Sequence, residues 1–224
     1  GATIVGSGAS VTINFNGTAT SGNLTVYGVN SCGIGTVSPN YAIIIHTTPS
    51  APVSSGNQAI CSGQTIPSLN VTVEAGATAD WYASATGGTP IATGTLSYTP
   101  AAAGTYYAEA RNLAAGCLSS SRTAVTLTIH SLPVVYAGAD RSIPNGTSTT
   151  ITDATASGTA VLSYSWTPAV SFVNPTVLNP TTVNLFSTHS YTLTVTDGHS
   201  CSNNDQMTIT ITGGVLGAYP DAVP

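Results

Sequence analysis

The sequence predicts an all-β chain built from tandem antiparallel β-sandwiches. Valine, isoleucine and threonine recur in short alternating runs, and the residues between these runs are rich in Gly, Pro, Asn and Ser, which favour turns. No stretch of useful length shows the 3.6-residue periodicity of an amphipathic helix. Short strands and turns without helices between them are typical of antiparallel β domains.

The composition excludes several classes of protein. Only 5% of the 224 residues are charged, there is no lysine, and the net charge of −5 predicts no binding to nucleic acid, which requires clustered Lys and Arg. No apolar run approaches the about 20 residues of a membrane helix, so we do not expect the chain to span a membrane. Because 42% of the residues are hydrophobic, the chain has enough apolar side chains to fold around hydrophobic cores and is not expected to be disordered. Without a signal peptide, it is expected to be a mature fragment or an excerpt of a longer protein.

The first segment, residues 1–48, contains three alternating runs, at Val11–Phe15, Leu24–Tyr27 and Tyr41–Ile45. A sandwich of about seven strands needs more than these three, so we expect only its C-terminal half. The apolar face of such a half would be exposed unless other strands covered it. Those strands could come from preceding residues of a longer precursor, from a neighbouring copy or from the tail at Val215–Tyr219. Packing against the second segment alone is the remaining alternative.

Two longer segments follow a proline-containing linker, at residues 49–131 and 132–212, and residues 213–224 are expected to be a linker or tail. In the middle segment strands are predicted at Leu69–Ala75, Ala79–Ala83, Leu96–Thr99, Thr105–Arg111 and Ala124–Ile129. In the third segment they are predicted at Ser148–Asp153, Leu162–Trp166, Val183–Phe186, Tyr191–Thr196 and Met207–Ile211.

The middle segment carries a cysteine pair, one central tryptophan and a tyrosine-rich late strand, which together indicate an immunoglobulin-like sandwich. Its motifs are Cys61-Ser-Gly-Gln, Trp81-Tyr82, Gly87-Gly88-Thr-Pro, Tyr106-Tyr107 and Gly116-Cys117. In this order they resemble the bacterial Ig-like repeats of large secreted Bacteroidota surface proteins. The resemblance implies an extracellular or cell-surface location.

The third segment resembles the PKD-like repeats that occur beside such Ig-like repeats. The residues that carry this resemblance are Ala137-Gly138-Ala-Asp140, Tyr164-Ser-Trp166-Thr-Pro168, Asn179-Pro180 and Tyr191-Thr-Leu-Thr-Val-Thr-Asp197. Gly22-Asn-Leu-Thr-Val-Tyr-Gly-Val-Asn30-Ser-Cys32-Gly33 is similar to the end of another PKD-like repeat.

The four cysteines are expected to differ in fate. Cys61 and Cys117 bracket the middle segment, and we expect a disulfide between them, which would contribute about 4 kcal/mol and require an oxidising compartment. Tyr107 lies ten residues before Cys117 rather than two, so this bond should staple one end of the sandwich. Cys32 and Cys201 have no evident partner in the chain and are expected to be buried thiols or to bond between molecules.

The aromatic and histidine residues are interpreted as packing residues. Trp81 and Trp166 lie in the strands expected to cross each core, with Tyr107 and Tyr191 as further core aromatics. Stacking of a sugar on either tryptophan is the functional alternative. His46 and His130 each end the last strand of a segment and are expected to pack between domains. The histidines and cysteines lack the paired spacing of a metal site, so no metal is expected.

No pattern indicates catalysis or a cofactor. The aspartates are scattered without an Asp-x-Asp-x-Asp cluster, and the chain has neither a Gly-x-Ser-x-Gly motif nor a phosphate-binding loop. Four Asn-x-Ser/Thr sequences could accept glycans, at Asn16, Asn23, Asn70 and Asn145.

We therefore expect a structural or adhesive repeat segment of a secreted bacterial surface protein, stalk or extracellular filament, without catalysis. The alternative is a carbohydrate-binding or spacer module of a secreted multidomain hydrolase. An enzyme whose active site is assembled across domains is a third possibility. The expected partners are other copies, neighbouring repeats of a longer chain, or a glycan or surface ligand. Either self-association through strands or glycans on the surface is expected because lysine and other charges, which usually protect sheet edges, are scarce.

Overall fold

The structure is a computed structural model that describes residues 1–5 and 10–213. Within these residues the only regular element that is not a β-strand is a 3-10 turn at Ala169–Ser171. The prediction of an all-β, mainly antiparallel fold is confirmed. None of the described residues forms a helix long and apolar enough to cross a membrane. The chain divides into two compact units: residues 1–56, 68–98 and 105–125 in one, and 57–67, 99–104 and the described residues from 126 onward in the other.

Residues 1–48 form three separate two-stranded antiparallel sheets. The pairs are β1 (Ala2–Val5) with β2 (Thr12–Phe15), β3 (Gly22–Leu24) with β6 (Tyr41–Ile43), and β4 (Val29–Asn30) with β5 (Gly33–Ile34). The described part of this segment contains no buried residue. Its apolar side chains, such as Ile4 and Phe15, are 64% and 46% exposed.

The middle of the chain forms two facing sets of strands around Trp81. Its strands are β7 (Val53–Ser54), β8 (Gln58–Cys61), β9 (Leu69–Thr72), β10 (Ala77–Tyr82), β11 (Ser97–Tyr98), β12 (Gly104–Asn112) and β13 (Thr123–His130). One sheet has the order β10-β12-β13-β8 and the other β11-β9-β7. Alternate residues of β9 and β12 are buried because successive side chains of a strand point to opposite faces. The buried apolar residues include Leu69, Val71, Trp81, Ala108, Ala110 and Val125.

The last part of the chain has a larger core around Trp166. Its strands are β14 (Val134–Tyr136), β15 (Arg141–Pro144), β16 (Thr155–Ser157), β17 (Ser163–Thr167), β18 (His189–Thr196) and β19 (Ser202–Thr212). The sheets have the orders β15-β19-β18-β17 and β14-β16. Strand β18 buries every second residue, at Tyr191, Leu193 and Val195. The cluster also includes Ile143, Ile151, Phe172, Leu185, Met207 and Ile209.

The two four-stranded sheets repeat one topology. In each sheet the strand that carries the tryptophan, β10 or β17, lies at one edge. The next strand is β12 or β18, which carries the core tyrosine named above, and the third is β13 or β19, the last strand of that sheet in chain order. The first strand closes the other edge and runs parallel to the last, as β8 does along β13 and β15 along β19. The register is also similar, because Trp81 lies opposite Ala108 and Trp166 opposite Leu193.

Two predicted strands are wrong. Residues 148–153 and 183–186 form no strand, and only isolated bridges join Thr147 to Leu185 and Thr150 to Thr181. Pro180, which cannot donate a ladder hydrogen bond, lies beside this pairing. The sequence interpretation also missed strands β1, β4, β5, β7, β8 and β14 to β16. The predicted tail lies outside the described residues except for Gly213, and so does the possible donor strand at Val215–Tyr219.

Candidate functional site

The disulfide of the structure joins Cys61 to Cys201, with a Cα–Cα distance of 5.6 Å and a sequence separation of 140. The expected bond between Cys61 and Cys117 is therefore wrong, and so is the expectation that Cys201 has no partner in the chain. Cys117 is a free, half-buried thiol, and Cys32 is a free, exposed thiol.

The register of β8 explains why Cys117 is not the partner. Cys61 lies opposite His130, the last residue of β13, whereas Cys117 precedes the first residue of β13, Thr123. A strand rises about 3.3 Å per residue, and a disulfide tolerates at most about 7 Å between Cα atoms. The length of β13 therefore keeps Cys117 out of reach of Cys61.

Cys201 is held in the turn that connects β18 to β19. One carboxylate oxygen of Asp197, Oδ1, accepts the N–H groups of His199 and Cys201 at 2.9 and 3.0 Å. The N–H of Asp197 donates to the carbonyl of Cys201 at 2.9 Å, and Ser200 takes a left-handed φ of 63°. Cys201 is fully buried. The Asp-Gly pair at residues 197–198 is a turn signal that could have placed this cysteine beside the end of β18.

Two histidines stack beside the disulfide. The rings of His130 and His199 have centroids 3.7 Å apart and an interplanar angle of 16°. A shallow cavity of about 420 Å³ at the disulfide is lined by Cys61, Ser62, Gly63, Gln64, Leu132, Ser200 and Ser202. No group of three or more His, Cys, Asp or Glu among the described residues could hold a metal ion. His46, the other histidine expected to pack between domains, is exposed.

Both tryptophans are fully buried, and their indole N–H groups are hydrogen-bonded inside the fold. Trp81 Nε1 donates to the carbonyl of Thr95 at 3.0 Å, and Trp166 Nε1 donates to those of Val177 and Leu178 at 3.2 and 3.3 Å. A buried indole with a satisfied N–H has no free face for a sugar ring.

The two tyrosines named with the tryptophans differ in burial. Tyr191 is fully buried, and its phenol oxygen has no hydrogen-bond partner in the described structure. Tyr107 is half-buried and lies opposite Tyr82.

Asp80, a residue that is 4% exposed, forms an ion pair through its carboxylate beside the Trp81 core. Arg111 donates through Nε to Oδ2 at 2.7 Å and through Nη2 to Oδ1 at 3.1 Å, and the N–H of Gly94 donates to Oδ1 at 2.8 Å. The hydrogen bond from Arg111 holds the pKa of Asp80 below its ordinary value, although burial acts in the opposite direction. The pair therefore fixes the end of β12 and the 94–95 loop against β10.

Arg122 holds the glycine-containing loop at residues 87–88. Its guanidinium carbon lies 3.3 Å from the centroid of the Tyr82 ring, and Nη1 donates to the carbonyls of Ser84 and Gly87 at 2.9 and 2.7 Å. Nη2 donates to Glu109 Oε2 at 3.3 Å. Burial, followed by the hydrogen bond and charge of Glu109, raises the pKa of Tyr82.

All three arginines of the chain pair with acids of the same chain: Arg111 with Asp80, Arg122 with Glu109 and Arg141 with Asp153. Since the chain has no lysine, these are all of its basic side chains apart from histidine. The aspartates likewise hold backbone: Asp140 accepts the N–H of Thr208, and Asp205 that of Ala137. Sequence reasoning recognised none of these pairs, although the scarcity of cations was a signal that each had an internal role.

Residues 49–130 match the family model described as Ig-like domain CHU_C associated. No curated protein sequence matches the chain. The Ig-like family is a non-catalytic kind of domain, and together with the disulfide it fits an extracellular or cell-surface location.

Among solved structures, an E-to-A variant of titin domains I67–I69 aligns over 95% of this chain and 82% of its own, at 14% identity and a TM-score of 0.47. Sidekick-1 immunoglobulin domains 1–4 align over 94% of this chain at 16% identity and a TM-score of 0.40, and the chain spans 63% of that fragment. Extracellular domains 3–5 of Drosophila OTK align over 82% of this chain and 68% of their own, at 10% identity and a TM-score of 0.42. The family match confirms, for the middle segment, the predicted resemblance to Bacteroidota-type Ig-like repeats.

Proposed function

We propose that this chain is a structural segment of a secreted bacterial surface protein, in which β-sandwich repeats act as the links of a stalk or filament. The observation that carries the proposal is the repeated topology. Sheets β10-β12-β13-β8 and β17-β18-β19-β15 have the same order, the same parallel closing pair and a fully buried edge-strand tryptophan each. A protein that repeats one module along its chain gains length.

The internal use of the polar side chains supports a structural role. The three arginines and most of the aspartates described above hold strands and loops of their own fold rather than facing a common cleft. Both tryptophans are core residues, which disfavours the carbohydrate-binding alternative. The domain boundaries we propose are 1–48, 49–131 and 132–212, with residues 213–224 as a linker or tail.

We also propose that residues 1–48 are the C-terminal half of a PKD-like sandwich that strands from outside this segment complete. Its described residues include no buried one, and an apolar cleft of about 210 Å³ lies between its sheets. The cleft is lined by Ala2, Ile4, Ile13, Phe15, Thr20, Gly22, Asn23, Leu24 and Ile43. Preceding residues of a longer chain are the source we favour, and strands donated by another copy are the alternative.

Antibodies raised against residues 49–212 test the proposed location and role. On intact, unpermeabilised cells of the source organism, we expect them to label the cell surface or fibres that extend from it, as seen by immunogold electron microscopy. Labelling that appears only after the cells are permeabilised would contradict the proposal. Labelling of a soluble hydrolase in the culture medium would favour the spacer alternative.

A further inference from the structure

The disulfide lies between the strand that enters one sheet and the strand that leaves another. Cys61 is the last residue of β8, and Cys201 immediately precedes β19. Their Cα atoms are 5.6 Å apart although 140 residue steps separate them along the chain. The bond therefore joins the end of β8 to the start of β19.

A covalent shortcut of this kind changes the path that tension takes through the chain. A force applied to the residues before Cys61 and after Cys201 passes along β8, across the sulfur–sulfur bond and along β19. Residues 62–200, which we call the shielded segment, then form a closed loop that can lose its structure but cannot be pulled out. Trp81 and Trp166 both lie in the shielded segment, whereas Met207 and Ile209 of the Trp166 core lie in β19, outside it.

We infer that the Cys61–Cys201 bond is a mechanical bypass, which carries tension between β8 and β19 and prevents the shielded segment from extending. A need to carry tension rests on the proposed role in a stalk or filament. The covalent path itself does not depend on that role.

The groups around the bond support both of its ends. On one side, the N–H of Cys61 donates to Gln64 Oε1 at 2.7 Å, and β8 pairs with residues 127–130 of β13. On the other, the Asp197 turn holds Cys201, and β19 pairs along eight residues with β18 and along four with β15. The stacked rings of His130 and His199 pack between these two supports. Tension would therefore meet hydrogen-bonded strands on both sides of the bond.

A small dithiol removes the bypass. Cys201 is fully buried whereas Cys61 is half-buried and lines the 420 Å³ cavity, so a thiolate of the dithiol attacks the sulfur of Cys61 and expels the thiolate of Cys201. The second thiol of the reagent then attacks the mixed disulfide. The reagent is oxidised to its own disulfide, and its two protons go to Cys61 and Cys201.

Single-molecule pulling of the full chain, held by handles at its two termini, tests the bypass. In the oxidised chain the shielded segment contributes only the 5.6 Å between the two Cα atoms. After treatment with dithiothreitol, the fully extended chain should gain about 490 Å, from 140 residue steps at about 3.5 Å each. The Cys61→Ser and Cys201→Ser variants should show the longer length without reductant.

The Cys32→Ser and Cys117→Ser variants are matched controls, and both should keep the short oxidised length and the gain with dithiothreitol. A gain of only about 200 Å would place the bond between Cys61 and Cys117, a loop of 117 − 61 residue steps, and would overturn the inference. An equal length with and without reductant would overturn it as well. If the Cys61→Ser variant does not fold, the measurement on the native chain with dithiothreitol still decides. None of these outcomes depends on where the protein is located, which the antibody experiment tests separately.

Discussion

Replacing Arg111 with methionine tests the ion pair that has the most buried acidic side chain of the three pairs in the structure. The change keeps most of the aliphatic stem but removes the guanidinium that donates to both oxygens of Asp80. The carboxylate of Asp80, whose side chain is 6% exposed, then keeps only the N–H of Gly94 as a donor. A buried charge that loses its partner destabilises the fold because water cannot replace that partner.

The expected cost is about 2–3 kcal/mol. Breaking a fully buried pair costs about 3–5 kcal/mol, and an exposed pair contributes about 0–1 kcal/mol. The side chain of Arg111 is 33% exposed while that of Asp80 is 6% exposed, so water screens the pair from one side and the cost falls between these limits.

Hydrogen exchange at the amides of β10 and β12 measures this cost locally. A loss of about 2–3 kcal/mol corresponds to exchange that is about 30- to 150-fold faster, at a tenfold change per 1.4 kcal/mol. The matched control is Arg141→Met in the Arg141–Asp153 pair, where Asp153 is 39% exposed, and the amides of β15 should change by about fivefold or less. Acceleration of β10 and β12 by no more than this control would refute the reasoning that burial makes the Asp80 pair strong.

Three further predictions follow from the described contacts. Because the pKa of Asp80 is depressed in the fold, the ionised carboxylate stabilises the fold above its ordinary pKa of 3.8, and this stabilisation is lost as the pH falls below that value. Asp80→Asn should therefore flatten the acid limb of a curve of unfolding free energy against pH. An unchanged acid limb would contradict the ion pair. Trp166→Ala should lower the free energy of unfolding in urea by about 3–5 kcal/mol, since it empties a fully buried site, and a loss below about 1 kcal/mol would show that the core is not built around this residue. Cys117→Ser should change the free energy of unfolding by less than about 1 kcal/mol, because Cys117 is a free thiol. Cys61→Ser should lower it by up to about 5 kcal/mol, because it opens a loop of 140 residues. Equal effects of the two variants would contradict the pairing of Cys61 with Cys201.

Local patterns predicted the strands whose burial alternates. Strands β12 and β18 have the expected alternation, and their partners follow or precede them in nearby sequence. Strands β8 and β15 were missed because each pairs in parallel with the end of a strand about 70 residues later, so no hairpin turn joins either strand to its partner. Residues 148–153 alternate like a strand, but their partner segment is interrupted by Pro180 and supplies only isolated bridges.

The pairing of side chains depended on information that the sequence does not hold locally. Four cysteines allow three complete pairings, and composition does not distinguish them. Bracketing of the middle segment favoured Cys117, whereas the register of β8 and the Asp197 turn bring Cys61 to Cys201. Asp80 of β10 lies opposite Glu109 of β12, and Arg111 is its diagonal neighbour two residues further along β12. The Asp80–Arg111 pair can therefore be recognised only when the register of these two strands is known.

A tryptic digest without reductant tests the covalent connection at the centre of this account. Because the chain has three arginines and no lysine, trypsin separates Cys61, Cys117 and Cys201 into the peptides 1–111, 112–122 and 142–224. We predict that mass spectrometry finds peptide 1–111 joined to peptide 142–224 and finds Cys117 alkylated as a free thiol. The same joined pair should persist in a Cys32→Ser variant, and this result would assign the bond to Cys61. Peptide 1–111 joined to 112–122, or all four cysteines alkylated, would contradict the account.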